Sequence, residues 1–368
     1  MAADLISFAR GAPSADILPV EIVREAAERA LRDDWQRALS YGTGRGHPGL
    51  VEWIAEFEGV DPGQVMITNG SLEGAVLTFD HLLSPGDEVI VEQPSYDRTL
   101  LLLARAGAER LGVPLEADGL QIEAVEELCD RRSPKLAHVI PNFHNPAGCT
   151  LSREKRHRLL ELAADSGFAI FEDDPYALVH FGSEPPESMF ANDAEGRVIY
   201  ASSFSKTVSP GVRVGYLIGP VDVIAALAKR AGESYISPNM LAESIVWEMA
   251  RSGSLARNID FVTEALRGRR DALAAALDER IPEASFVLPQ GGYFLWVDMP
   301  AEVDCVALLA ASAEAGAPFV AGPDFMLEGG QSSFRLSFAS VPAERVDEGV
   351  RRIAEALERV RAGAPAAR

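Results

Sequence analysis

The stretch Val198-Ile199-Tyr200-Ala201-Ser202-Ser203-Phe204-Ser205-Lys206 decides the fold. Its first part, Val198–Ser202, is a short β-rich run, and it opens into small hydroxyl residues that end in a lysine. Working outward, the same form recurs. Phe168–Glu172 closes on Asp173-Asp174-Pro175-Tyr176, and His138–Pro141 closes on Asn142-Phe143-His144-Asn145-Pro146-Ala147-Gly148. Val65–Thr68 closes on Asn69-Gly70-Ser71, while Glu88–Glu92 and Gly215–Ile218 complete the set of β-rich runs. Residues with helical period fill Glu73–Leu83 and Arg153–Ser166 between them. Such alternation calls for crossover connections and a mostly parallel sheet covered on both faces. The fold class is α/β.

The two ends read differently. Val20–Asp33 forms an amphipathic helix after Pro19, and Ala256–Arg280 a long one. Then follow strands at Ser285–Val287 and Gly292–Val297, a helix at Cys305–Ala315, a strand at Ser333–Ser337 and a helix at Ala343–Val360. This is an α+β tail. In a chain of 368 residues it suggests two domains. The expected division is a large domain over residues 40–270, and a small one combining residues 1–39 with 271–368. Ala362–Arg368 reads as a frayed terminus.

Composition excludes several classes. Hydrophobic residues make up 47% of the chain, enough for a full core, so global disorder is excluded. Asp and Glu outnumber Lys and Arg by 55 to 34, a net charge of −21. That surface repels phosphate backbones and anionic lipid, so neither nucleic acid nor a membrane is an expected partner. Cys129, Cys149 and Cys305 are few and far apart, which fits a reducing cytoplasm and offers no structural zinc site. Met1–Arg10 lacks the apolar centre of a signal peptide, and no apolar run is long enough to span a bilayer.

Several motifs admit two readings. Gly44-Arg45-Gly46-His47-Pro48-Gly49 is formally G-x-G-x-x-G, but charged residues precede it and Pro48 interrupts it, so it reads as a flexible loop. Gly70-Ser71-Leu72 opens a helix after a strand. Its free N–H groups and hydroxyl suit a phosphate, and a plain Ser N-cap is the alternative. Ser203-Phe204-Ser205-Lys206 is S-x-x-K, which in penicillin-binding enzymes makes the serine a nucleophile, but the accompanying S-D-N and K-T-G are absent. The other reading makes Lys206 the covalent partner of a carbonyl cofactor. Only four lysines occur (Lys135, Lys155, Lys206, Lys229), and Lys206 alone ends a strand among hydroxyls. With Arg213 seven residues on, that loop is a compact anion site. Asp173 and Tyr176 lie at a strand's carboxyl end, where α/β sheets bind ligands. A metal is not expected there. His144 reads as a solvated loop histidine, with acid–base work as the alternative.

Taken together these pieces resemble the fold-type-I pyridoxal-phosphate enzymes of aminotransferase class I/II. They are most similar to the 2-aminoadipate aminotransferase branch, which also supplies the effector domains of MocR-type regulators. The resemblance runs from about Ile6 to Val360. It rests on order and spacing, with Asn145 and Asp173 28 residues apart and Asp173 and Lys206 33 apart. It implies a large domain with a seven-stranded, mostly parallel sheet and a smaller α+β domain. Carried over residue by residue, it implies that Lys206 forms an imine with the cofactor aldehyde and Asp173 pairs with the pyridinium nitrogen. Asn145 and Tyr176 would hydrogen-bond the ring's phenolic oxygen, and Tyr96 would stack on its face. Gly70, Ser71 and Leu72 would hold the phosphate, with Ser203, Ser205 and Arg213 completing the cup. Tyr41 resembles the tyrosine that reaches a phosphate across a dimer interface, which implies a homodimer. Arg335, in Phe334-Arg335-Leu336, would take the substrate α-carboxylate. Asn145 would assist it, and Arg10 would read an acidic side chain or else form a surface salt bridge.

The implied activity moves an amino group between an L-amino acid and a 2-oxo acid. Other reactions at Cα on the same cofactor (racemase, cyclase, elimination) stay open, since one carbanion has many fates on this fold. A cofactor-binding sensor is a further alternative, although five residues before Ile6 leave no room for a DNA-binding helix-turn-helix. Four residues depart from the resembled pattern. His144 stands where glutamine is common, Ala147 and Cys149 flank Gly148 where threonine often occurs, and Glu243 stands where glutamine is frequent.

Overall fold

The computed structural model describes residues 5–182 and 184–363. The start of the Met1–Arg10 segment and residues 364–368 of the expected frayed terminus lie outside them. Eight strands form the main sheet: β1 (Val65–Thr68), β2 (Glu88–Gln93), β3 (Glu109–Glu116), β4 (Gly119–Leu120), β5 (Leu136–Val139), β6 (Ala169–Asp173), β7 (Val198–Ser203) and β8 (Gly215–Ile218). Their order is β1-β8-β7-β6-β5-β2-β3-β4. The β3–β2–β5–β6–β7 run is parallel, and β8 runs antiparallel to both of its neighbours. The seven-stranded sheet is therefore present, lengthened at one edge by the two-residue β4, which turns back on β3. β1, β5, β7 and β8 are buried along their whole length, as strands covered on both faces must be.

Helices α1 (Val20–Asp33), α2 (Trp35–Ala38), α3 (Pro48–Glu58), α4 (Ser71–Leu82), α5 (Asp97–Arg105), α6 (Ile122–Arg131), α7 (Arg153–Ser166), α8 (Val221–Tyr235) and α9 (Met240–Arg251) surround it. Their ends follow from local chemistry. The Ser152 hydroxyl accepts the Lys155 N–H to start α7, and Gly167 at φ 81° ends it. Adjacent residues of β6 serve opposite layers: Phe171 packs with Phe79 and Leu217, and Ile170 with Val139 and Leu159.

The long α10 (Ser254–Arg280) leads to a three-stranded antiparallel sheet, β10-β11-β9, formed by β9 (Phe294–Asp298), β10 (Val320–Ala321) and β11 (Ser333–Ser337). Helices α11 (Cys305–Glu314) and α12 (Ala343–Arg361) cover it. Residue 270, the expected domain boundary, lies inside α10. The N-terminal segment divides: Ile6, Phe8 and Ile17 join the core of Phe294, Phe334 and Leu357, whereas Ala26 of α1 packs with Leu50, Ile54 and Val246. Among the described residues no helix is long and apolar enough to cross a membrane.

Three sequence readings shift. β5 starts and ends two residues earlier than expected, because Ile140 leaves the ladder to give its N–H to the Glu92 carboxylate at 2.8 Å. β3 was not expected at all: Glu109-Arg110-Leu111-Gly112-Val113-Pro114 carries charges and a proline, and only Val113 of the strand is buried. Ser285–Val287 forms a single bridge, Ser285 to Asp298, and not a strand.

Candidate active site

The carboxyl ends of β5, β6 and β7 and the start of α4 surround one cavity of about 660 Å³. Lys206 follows β7, and its Nζ donates to the Gly11 carbonyl at 2.8 Å. The ammonium lies 4.8 Å from the centre of the Tyr293 ring and 5.4 Å from that of Tyr176. Burial, and then the nearby Arg335 charge, push the Lys206 pKa down to about 8. A lysine held there exchanges a proton near neutral pH and is a nucleophile when free of it.

Asp173 ends β6 and is buried, its Oδ2 3.7 Å from His138 Nε2 and its Oδ1 without any partner. Tyr176 and Tyr96 line the same cavity. Burial, then the Asp97 charge, raises the Tyr96 phenol to about 12, and burial raises Tyr176 further from its ordinary value. Both therefore stay protonated and can donate hydrogen bonds.

Arg335 enters from β11, where it faces Trp296 and Val320 in the ladder. Its Nη1 donates to Asn145 Oδ1 at 2.9 Å and its Nη2 to the Ala9 carbonyl at 2.8 Å. The guanidinium carbon lies 4.2 Å from the Phe294 ring centre and 4.7 Å from that of Phe325. Its Nε is buried and unpartnered, and burial lowers its pKa to about 10. It remains a cation with a hydrogen-bonding edge to spare. Arg10 lies at the rim of the cavity, exposed.

An anion cup forms at the start of α4. Gly70 takes the cap position at φ 87° and offers no side-chain acceptor, so Ser71 is the first helical residue and not an N-cap. Arg213 spans the cup, donating to the Asn69 carbonyl at 3.0 Å and to Ser205 Oγ at 3.4 Å. Ser203 donates to Ser205 Oγ at 2.8 Å. A Cβ at Gly215 would stand 2.5 Å from the Ser71 nitrogen, so only glycine lets β8 come this close.

Other expected positions lie elsewhere. Tyr41 is 84% exposed, outside the cavity, on the wall of a separate surface hollow with Met240. His144 is not solvated: it is fully buried, and its Nε2 meets Glu92 at 3.0 Å. Cys149 is buried and its thiol is pushed up to about 12 by burial, so it stays protonated. Glu243 is buried and accepts the His47 N–H at 2.5 Å. No strand precedes the Gly44–Gly49 run, which leads into α3 at Pro48. Among the described residues there is no cluster of metal-ligating side chains. Sequence reasoning missed Tyr293, whose hydroxyl donates to the Lys206 carbonyl at 2.8 Å, and the role of the Ala9 and Gly11 carbonyls. The Gly291-Gly292 pair before Tyr293 was the available signal: Gly291 has room for no Cβ beside the Val179 carbonyl.

The sequence profile described as aminotransferase class I and II matches residues 3–353. The chain belongs to that family. This aminotransferase is 33% identical to aromatic-amino-acid aminotransferase 1 of Thermococcus litoralis, over 96% of this chain and 88% of that protein. It is also 33% identical to 2-aminoadipate transaminase of Thermus thermophilus, over 96% of this chain and 90% of that protein. The crystal structure of Pyrococcus horikoshii kynurenine aminotransferase, in complex with PMP, superposes with a TM-score of 0.93. That pair is 31% identical, over 98% of this chain and 92% of the other. The aminotransferase thus uses pyridoxal phosphate to move an amino group between an amino acid and a 2-oxo acid. The residues present fit that cofactor. Asp173 keeps a buried oxygen free of any protein partner, and the α4 start, Arg213 and two serines leave an anion cup that a Cβ at Gly215 would crowd.

Proposed function

We propose that Lys206 is the catalytic lysine, and that Asp173, Tyr176 and Asn145 hold the pyridoxal ring between them. The observation that carries this reading is the convergence of a buried lysine with lowered pKa, an unpartnered aspartate oxygen and an open anion cup on one cavity. When bound, pyridoxal phosphate supplies an aldehyde for amino groups and a conjugated ring that takes up the electron pair left at Cα. Asp173 keeps a proton on the ring nitrogen through its charge. Tyr176 and Asn145 hydrogen-bond the phenolic oxygen, and Tyr96 covers one face of the ring. The Gly70, Ser71 and Leu72 backbone, with Ser203, Ser205 and Arg213, binds the phosphate.

Arg335 binds the substrate carboxylate through the edge that its contacts with Asn145 and Ala9 leave free, and so fixes the direction of the Cα–H bond. Lys206, once its amine is free, would take the Cα proton and hand it to the cofactor's C4′ carbon, which lies on the other side of the amino nitrogen. Both Tyr176 and Tyr293 help keep water from that amine. Arg10, at the rim, reads an acidic group at the far end of the substrate side chain. The chain divides into a cofactor-binding unit that takes in α1 and runs to about residue 270 within α10, and a smaller unit that joins the segment around Ile6, Phe8 and Ile17 to the C-terminal part. It works as a homodimer in the cytoplasm, with Tyr41 reaching the phosphate of the neighbouring copy. The exposure of Tyr41, and of Trp35 and Leu39 a few residues before it in the chain, supports this, and the three free cysteines agree with the compartment.

The test is the visible spectrum of the cofactor-loaded protein during addition of single amino acids. Conversion to the pyridoxamine form, reversed by an oxo acid and absent in Lys206→Ala, is the expected result. Turnover surviving in Lys206→Ala overturns the assignment. A sedimentation measurement that finds only monomer at working concentration overturns the role of Tyr41.

A further inference from the structure

His144 is fully buried, and both of its ring nitrogens are spoken for. Its Nδ1 accepts the Ala147 N–H at 3.1 Å, so the proton sits on Nε2, which donates to Glu92 Oε2 at 3.0 Å. The same carboxylate oxygen accepts the Ile140 N–H at 2.8 Å. Glu92 lies on β2, one residue before the strand ends at Gln93 and leads through Pro94-Ser95 to Tyr96, and His144 immediately precedes Asn145. One buried contact therefore ties two loops that enter the cavity from neighbouring strands. Neither His144 nor Glu92 lines that cavity. The loop is further closed by the His144 N–H to the Cys149 carbonyl at 2.9 Å and the Gly148 N–H to the His144 carbonyl at 2.7 Å.

We propose that His144 is a positioning residue which, braced on Glu92, holds Asn145 against Arg335 and thereby sets the grip on the substrate carboxylate. It touches neither substrate nor cofactor. This inference rests on the reading of Arg335 as the carboxylate site. The imidazole serves as a strut of fixed length with one acceptor end and one donor end. A glutamine has the same reach and the same pair of ends, its amide oxygen facing Ala147 and its amide nitrogen facing Glu92. Asparagine, one methylene shorter, satisfies only one partner. Leucine satisfies neither and leaves the Glu92 acceptor short of a donor.

The experiment compares KM, kcat and bound-cofactor absorbance in the full-length holoenzyme for His144→Gln, His144→Asn, His144→Leu and Glu92→Gln. A displaced binding group weakens the hold on the substrate before and during reaction alike, so Asn and Leu are expected to raise KM for both substrates about tenfold. Their kcat should stay within about threefold of the parent, because Lys206 is intact, while bound-cofactor absorbance shifts along with KM, because Asn145 also contacts the ring's phenolic oxygen. His144→Gln should restore KM to near the parent value. Glu92→Gln should match it, since an amide oxygen can accept both donors. Should the Leu variant fail to fold, the Asn variant carries the test. Unchanged KM in the folded Asn variant overturns the proposal. So does a Gln variant no better than Asn, or a loss confined to kcat. Arg335→Lys, measured alongside, separates the two readings: if it leaves KM unchanged the carboxylate site itself is misassigned, whereas a raised KM there with a normal His144→Asn rejects only the strut.

Discussion

Arg335 donates to Asn145 Oδ1 at 2.9 Å while its guanidinium carbon lies 4.2 Å from the Phe294 ring centre and 4.7 Å from that of Phe325. A guanidinium packed against aromatic rings makes its hydrogen bonds through its edge, so the carboxylate is met in the guanidinium plane. Arg335→Lys keeps the charge but loses the fork and the stacked plane. It is expected to lower kcat/KM for amino acids by roughly a hundredfold, mostly through KM. Steady-state kinetics with both substrates checks this, and Phe294→Leu should show a smaller rise in KM.

Lys206 titrates at about 8 in the cofactor-free protein because it is buried beside Arg335. Its neutral form is the nucleophile, and that form accumulates as pH rises. The rate of pyridoxal phosphate loading should therefore increase with pH and level off above about 8. Stopped-flow absorbance from pH 6 to 10 measures it. A profile still rising beyond pH 10 would place the lysine at its ordinary value and refute the lowered one.

Glu243 is buried with one oxygen, Oε1, unpartnered, and burial pushes its pKa up from 4.5 to about 8. A carboxyl raised in the folded state contributes stability below about 4.5 and loses it as pH climbs through about 8. Glu243→Gln keeps an acceptor for the His47 N–H and removes the titration. The variant should gain in thermal stability over the parent as pH increases, by roughly 2–4 °C at pH 9 and little at pH 5. Equal melting temperatures at both pH values would refute the buried-charge account.

Gly215 lies against the opening of α4, where an added Cβ would meet the Ser71 nitrogen at 2.5 Å and the Gly70 carbonyl carbon at 2.7 Å. These are backbone atoms and cannot swing aside. Gly215→Ala is expected to weaken pyridoxal phosphate binding at least about tenfold by moving the helix start. Gly232→Ala in α8, with open space around its Cβ, should leave binding intact and stabilise the helix. Titration of cofactor absorbance compares the two.

Much of the site was legible because Asp173, Asn145, Ser71 and Lys206 each sit just where a β-rich run gives way to small or turn-forming residues. Arg335 carried no such mark. It lies inside a strand of the smaller sheet, and only its resemblance to known sequences singled it out. The Ala9 and Gly11 carbonyls were invisible for another reason, since backbone groups have no side-chain signature and their partners lie 326 and 195 residues away. His144 was misread for want of Glu92, 52 residues upstream, which turns a loop histidine into a buried strut. β3 escaped because its first six residues, Glu109–Pro114, lie beyond the reach of the two-residue β4 and face outward like an edge, where strict alternation is not needed and charges and a proline discourage further pairing.

The contacts of Ala9 with Arg335 and of Gly11 with Lys206 also have a temporal meaning. Both ends of the polypeptide wall the same cavity, so a nascent chain halted before β11 has no completed pocket, however well its central sheet has formed. Ile6 and Phe8 must meanwhile wait beside the ribosome for Phe334 and Leu357, their last-made neighbours. Grip on the substrate carboxylate is thus the last part of the site to be made, and ribosome-bound chains stalled ahead of residue 335 should convert no amino acid when released chains of full length do.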